Sequence, residues 1–291
     1  MRINTRIAVL SAFLFMSLFA IGQKKAKTEG KPPAQSYALN SGSFSALKLR
    51  NIGPAITSGR VADLAVNPQN PNEYYVAAAS GGVWKTTNSG TTFTPVFDGQ
   101  GSYSIGCVVL DPTNPNVVWV GTGEGNNQRS VAYGDGIYKS EDGGKTWKHM
   151  GLKQSEHIGS MVIDPTDGDV VYVAAYGPLW SSGGERGIYK TMDGGKTWTR
   201  ILNVSEHTGF SEIHMDPRNS RTLYATAHQR QRKVFTYIGG GPESALYKST
   251  DFGQTWTKLT SGLPSGDVGR ITIDISPVNP DVDTELCFCR L

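Results

Sequence analysis

Short apolar runs separated by Asp/Asn-Pro turns and glycines recur along this chain, and no long stretch after residue 22 spaces its apolar positions as a helix does. Four segments share one layout: VADLAVNPQNPNEYYVAA (61–78), IGCVVLDPTNPNVVWVGT (105–122), IGSMVIDPTDGDVVYVAA (158–175) and SEIHMDPRNSRTLYATA (211–227). Each is a β-rich run, a turn, and a second β-rich run ending near an aromatic residue. A third run, such as GIYKS, leads into a nonapeptide, and a fourth, such as TWKHMGL, leaves it. The pattern predicts four short strands per unit.

The nonapeptide is KSEDGGKTW at 139–147, KTMDGGKTW at 190–198 and KSTDFGQTW at 248–256, with a worn copy, KTTNSGTTF, at 85–93. Equivalent hydroxyl residues, Thr86, Ser140, Thr191 and Ser249, are 54, 51 and 58 residues apart. Four-stranded units at that period read as propeller blades, with the box at the turn between third and fourth strands. Each box position has a folding role. The carboxylates of Asp142, Asp193 and Asp251, and Asn88 in the worn copy, accept turn N–H bonds. Gly90, Gly144, Gly195 and Gly253 take a positive φ. Phe93, Trp147, Trp198 and Trp256 bury a ring between neighbouring units, each contributing about 2–3 kcal/mol. The expected class is all-β: a propeller of four-stranded antiparallel blades, four complete and a broken fifth, forming the N-terminal portion of a larger ring.

The S/T-x-D-x-G-x-T-W pattern is similar to the Asp box, or bacterial neuraminidase repeat. Over about 44–282 the chain resembles large secreted bacterial proteins of the sortilin-like, "glycosyl hydrolase, BNR repeat" kind, and more distantly xyloglucan-active two-propeller glycoside hydrolases and sialidases. The resemblance implies further blades downstream. It also implies a module that binds a peptide or polysaccharide across its loop-rich face, as sortilin-like propellers bind peptides. Two alternatives stand beside it: a glycoside hydrolase acting on an extracellular polysaccharide with catalytic residues partly beyond Leu291, and a purely architectural domain. In the xyloglucan-active family a catalytic Asp precedes the Gly-Gly of the first blade's long loop; the matching position in VAAASGGVWK is Ala79. The R-I-P entry motif of sialidases is missing.

Residues 1–22 read as a signal peptide, with Arg2 and Arg6 before the apolar run IAVLSAFLFMSLFAIG and cleavage before Gln23. A flexible leader (23–43) follows, so the expected location is secreted, periplasmic or cell-surface, with no membrane span after cleavage. The segment FSALKLRNIGP (44–54) resembles outgoing strands and is expected to close the ring as the fourth strand of the last blade. A fifth repeat opens at GRITIDISPVNPDV (269–282), after which DTELCFCRL breaks the pattern and reads as an aberrant or truncated tail.

Composition excludes several classes. The net charge of +3 argues against nucleic-acid partners. Three cysteines, Cys107, Cys287 and Cys289, form no disulfide framework. No metal or cofactor motif is present: GGKT lacks the upstream glycine and following helix of a phosphate loop, and there is no H-E-x-x-H. RQRKVF (230–235) reads as a solvated basic run.

Function is expected in the long loops between second and third strands. Measured between equivalent aromatics, these loops span 9, 19, 17 and 23 residues. The second offers Glu124, Asn126, Asn127, Arg129, Tyr133 and Asp135; the third, Trp180, Glu185 and Arg186; the fourth, His228, Arg230, Arg232, Tyr237 and Glu243. Amides, guanidinium groups and aromatic rings suit sugar or peptide binding. Glu124 with Asp135 is the one same-loop carboxylate pair for glycoside hydrolysis. Between blades, SEHIG and SEHTG place Glu156–His157 and Glu206–His207 as paired candidates near the pore, for proton transfer or a metal. Arg60 and Arg270 open inner strands and are expected to point at the central channel.

Overall fold

In the computed structural model, which describes residues 59–276 and a strand at 286–288, four four-stranded antiparallel sheets follow one another along the chain. The first is β1 (Val61–Val66), β2 (Tyr74–Ala78), β3 (Gly82–Thr86) and β4 (Thr94–Pro95); the second is β5 (Ile105–Leu110), β6 (Val118–Thr122), β7 (Ile137–Ser140) and β8 (Lys148–His149). The third is β9 (Ile158–Asp164), β10 (Asp167–Ala175), β11 (Gly187–Thr191) and β12 (Thr199–Leu202). The fourth begins with β13 (Thr208–Asp216) and β14 (Asn219–Gln229), and inserts a hairpin, β15 (Gln231–Arg232) and β16 (Tyr237–Ile238). It ends with β17 (Ala245–Ser249) and β18 (Thr257–Leu259). β19 (Ile271–Ile273) pairs antiparallel with β20 (Leu286–Phe288), with Thr272 opposite Cys287. The fifth unit thus has a second strand, in the segment where the sequence pattern breaks. The expected signal peptide, leader and strand at 44–54, and most of the tail, lie outside the described residues.

The sheets are blades because their strands are apolar on both faces. In β10, Val171, Val173 and Ala175 join a cluster with Cys107, Trp119 and Ile137 of the blade before. Tyr172 and Ala174 face the other way, onto Phe210, Ile213 and Leu223 of the blade after. The core is therefore a series of layers between blades, repeated between the first and second blades and again between the fourth and fifth. Backbones come close near the axis: a Cβ on Gly106 would stand 2.0 Å from the Ile158 carbonyl oxygen, and one on Gly159 would stand 2.3 Å from that of Ser211.

The boxes form one turn. The Ser140 hydroxyl donates to Asp142 Oδ1 (2.8 Å) and accepts the Gly144 N–H (2.8 Å). Asp142 Oδ1 accepts the N–H groups of Lys145 (3.0 Å) and Thr146 (2.8 Å), and the Thr146 hydroxyl donates to Oδ2 (2.6 Å). Asp193 and Asp251 repeat this with Thr197 and Thr255, and Asn88 keeps the Thr92 N–H bond. Gly90, Gly144, Gly195 and Gly253 lie at φ between +80° and +91°. The Trp147 indole donates to Val96 O (2.6 Å) and meets Phe97 edge-on; Trp198 donates to Met150 O (2.6 Å) and meets Trp119. Each ring thus seals its blade to the one before it.

A second device went unread in the sequence. In each blade a third-strand lysine lies over a second-strand aromatic ring: Lys85 on Tyr75, Lys139 on Trp119, Lys190 on Tyr172 and Lys248 on Tyr224, at 5.0–5.1 Å. Tyr75 and Lys85 both donate to Gly143 O, and Tyr172 and Lys190 both donate to Phe252 O. One blade's Lys–aromatic pair therefore grips the box turn of the next.

The turn predicts acid sensitivity. Hydroxyl donation from Thr197 and from Thr255, then their backbone N–H groups, hold the Asp193 and Asp251 carboxyls down to about 2. A depressed folded pKa stabilises fully above the ordinary carboxylate range near ~4, and the stabilisation is lost as pH falls through the folded value. Thermal melts followed by tryptophan fluorescence are expected to drop steeply between about pH 4 and pH 2, and Asp193→Asn should make that drop shallower while lowering the melting temperature at neutral pH.

Candidate ligand-binding mouth

Antiparallel pairing puts the starts of innermost strands and the ends of second strands on one edge, as Val61 opposite Ala78 and Ile105 opposite Thr122 show. The boxes follow third strands and lie at the other edge. On the first edge Arg60, Ala79, Gly106, Glu124, Asn126, Gly159, Tyr176 and Arg270 line a cavity of about 180 Å³. Arg60 and Arg270 both line this cavity.

Glu124 is 4% exposed and is placed through its backbone: its N–H donates to the Ser104 hydroxyl (3.1 Å), and its carbonyl accepts from His157 Nδ1 (2.9 Å). Its carboxylate pairs with the Arg60 guanidinium. Asp135 is engaged elsewhere, accepting from the Tyr138 hydroxyl (2.6 Å) and the Thr122 hydroxyl (3.3 Å), so the mouth holds Glu124 without it. A Glu124/Asp135 pair flanking one bond is not what the loop builds.

The fourth blade's insertion arches over the third blade to the second. Arg230, 1% exposed, donates through one terminal nitrogen to Gly125 O, Asn126 O (3.0 Å) and Asn127 Oδ1 (3.1 Å), and its guanidinium lies 3.7 Å from the Tyr176 ring centre. Arg232 donates to Asn127 O (2.7 Å), its N–H donates to Leu179 O (2.8 Å), and Asn127 donates to the Tyr237 hydroxyl (2.9 Å). The basic run RQRKVF is therefore largely a strap, with Val234 and Phe235 at its exposed tip. Burial lowers the Arg230 pKa to about 10, still charged at neutral pH. Arg230→Met should free the strap: tryptic cleavage after Arg232 or Lys233 is expected to accelerate about tenfold, read by timed proteolysis of the folded protein.

Beneath the mouth several buried polar atoms have no protein partner: Asn126 Nδ2, His157 Nε2, the Tyr176 hydroxyl, His228 Nδ1, and Nε and the second terminal nitrogen of Arg230. His157 Nδ1 faces a carbonyl and must donate, so its Nε2 carries a lone pair; His228 donates through Nε2 to Gly239 O (3.0 Å), leaving a lone pair on Nδ1. Burial, with Arg230 and Arg186 nearby, pushes His157 well below the usual imidazole range, and burial brings His228 down to about 4; both are neutral. Lone pairs and N–H or O–H donors side by side in the interior match buried water, which donates and accepts at once.

The remaining candidates separate. Arg186 is consumed by its own loop, donating to the carbonyls of Gly183, Tyr176, Pro178 and Ser181. Glu185 accepts the Gln154 N–H, and Glu243 accepts the hydroxyls of Ser205 and Thr208, tying loops together. Tyr133, Trp180 and Arg129 are exposed, Tyr133 in a T-shaped contact with His157 at 6.4 Å. The two Glu–His pairs are not equivalent. Ile158 pairs with Ala175 as Phe210 pairs with Ala227, so SEHTG is set back by two residues in register, its strand starting two residues earlier. His157 is consequently buried, and His207 is exposed beside Ser182 and Glu206. Among the described residues no three His, Cys, Asp or Glu side chains gather as a metal site. Tyr176, which stacks with Arg230 and lines the cavity, was missed; its place just past an apolar strand was the available signal.

Comparison with known proteins agrees with this architecture. The fold is shared with GH74 enzymes. The Niastella koreensis GH74 structure is 25% identical with a TM-score of 0.51, covering 69% of this chain and 29% of that one. An ancestral GH74 enzyme, 21% identical, has a TM-score of 0.59 over 80% of this chain and 29% of its own. Residues 135–278 match the family model described as sortilin, neurotensin receptor 3. A xyloglucanase of Hypocrea jecorina is 27% identical over 252 residues, 75% of this chain and 27% of the relative. One from a Paenibacillus species is 24% identical over 260 residues, 77% of this chain and 24% of the relative. The chain spans about a quarter of the length of these curated relatives. No helix among the described residues is long and apolar enough to cross a membrane.

Proposed function

We propose that the protein is a secreted glycoside hydrolase acting on an extracellular polysaccharide of the xylose-branched β-glucan type, and that these blades supply a sugar-binding mouth. The observation that carries the reading is the mouth itself: a cavity lined by Arg60, Glu124, Asn126, Tyr176 and Arg270, with exposed aromatic residues Tyr133, Trp180 and Phe235 in the long loops that follow second strands. Pyranose rings present hydroxyls at their edges and C–H groups on their faces, and this rim offers a partner for each. The likeness to xyloglucanases supports the substrate class. Hydrolysis of a glycosidic bond needs two carboxyl groups. Glu124 stands in the mouth and is the candidate this segment contributes.

The test is to incubate the whole secreted protein with xyloglucan, unbranched β-glucans and α-glucans and follow new reducing ends. Release from xyloglucan, reduced at least about 100-fold in Glu124→Gln, is expected. No release from any polymer removes the hydrolase reading. A second reading, binding without turnover, is favoured by Ala79: it lies in the same cavity, where the family resemblance implies a catalytic Asp. Retention on xyloglucan with no reducing ends would establish it.

A further inference from the structure

Arg230 is a buried cation that no acid balances. It is 1% exposed, and its Nη1 is spent on Gly125 O, Asn126 O and Asn127 Oδ1. The Tyr176 ring covers the guanidinium at 3.7 Å. Nε and Nη2 are buried as well and have no protein partner. These nitrogens share one edge of the planar group, the edge that holds an anion through two parallel N–H bonds.

Water takes up an N–H bond but does not offset a charge, and an unpaired buried charge is costly. The acids around the mouth are committed elsewhere. Glu124 pairs with Arg60, Glu212 pairs with Arg270, and Asp135 accepts from Tyr138 and Thr122. Among the described residues no carboxylate bonds to Arg230, and the charged groups that act on it, Arg186 and Arg270, are cations. Arg186 is the contrast: each of its three nitrogens donates to a carbonyl, and Glu156 and Glu206 lie near enough to attract it. Space adjoins Arg230. Tyr176 and Asn126 line the mouth cavity, and Arg230 lines a second cavity of about 180 Å³ with His207, Gln229, Gln231 and Ile238.

We propose that Arg230 forms an internal site for a small monovalent anion, chloride or a carboxylate the size of formate, held by Nε–H and Nη2–H. The fork itself reaches no solvent, so the ligand is a small enclosed ion and not a unit of a polymer. The Tyr176 hydroxyl and Asn126 Nδ2 are buried, without a protein partner, and belong to the residues that Arg230 touches; they are further donors for its shell. The same guanidinium anchors the strap to residues 125–127 through Nη1, so an ion that neutralises it stabilises the strap in its closed position.

The test is timed tryptic cleavage of the folded full-length protein after Arg232 and Lys233, followed by mass spectrometry of that bond. The buffer is sodium gluconate, whose anion is too large for the site, replaced by chloride or formate at constant ionic strength. In the wild type, chloride or formate is expected to slow strap cleavage at least about fivefold, with saturation, because a ligand of the closed state suppresses local opening. Arg230→Lys keeps the charge and loses the fork, so its cleavage, whatever its rate, should not respond to the anion. A response to chloride alone assigns a halide, and one to formate alone a two-oxygen anion across the two N–H groups; each supports the proposal. Wild-type cleavage that ignores the anion, or an equal response in Arg230→Lys, would overturn it.

Discussion

Trp119→Ala will lower stability by about 3–5 kcal/mol, a fall in melting temperature of roughly 6–20 °C. The indole is fully buried between the second and third blades and meets three elements at once. Trp198 of the following box lies edge-on at 6.3 Å, and Lys139 sits over the ring at 5.1 Å. Gly195 approaches so closely that a Cβ there would be 2.7 Å from the ring. Alanine removes the ring, the platform for Lys139 and the wall of the next blade's box together. Trp119→Phe keeps much of the volume and should lose less than half as much. Both follow from thermal or denaturant unfolding of the protein.

Gly106→Val will be the more damaging substitution per atom added. Its Cβ would stand 2.0 Å from Ile158 O and 2.7 Å from Gly123 O, both backbone atoms that cannot swing aside. The first and second strands of two blades would have to separate along the axis. A cost above about 3 kcal/mol is expected, seen as loss of folded, protease-resistant protein.

The fold was legible because its signals are local. The hydrogen bonds that centre on the box Asp and hydroxyl are made within the nonapeptide, so Asp142, Gly144 and Thr146 announce the turn wherever they stand. The interleaved apolar faces follow from period two. The mouth was less legible because its contacts are distant in sequence. Arg230 meets Asn126 and Asn127 across 104 and 103 residues, and nothing near RQRKVF shows that it becomes a strap. Arg186 looked like a ligand group because a charged loop residue usually faces water; here four carbonyls converge on it. The Glu–His repeat misled because a two-residue offset in the fourth blade moves His207 to the surface while leaving the words alike.

The central claim is that the loop-rich rim holds a polysaccharide through exposed rings beside a polar mouth lined by Arg60, Glu124 and Asn126. The direct measurement is the affinity of the full-length protein for soluble xyloglucan, wild type against the surface double variant Trp180→Ala, Phe235→Ala. The predicted result is saturable binding by wild type, weakened at least about tenfold, or ~1.4 kcal/mol, in the variant, with unchanged melting temperature. Equal affinity of the two proteins, or no binding by wild type, would contradict it.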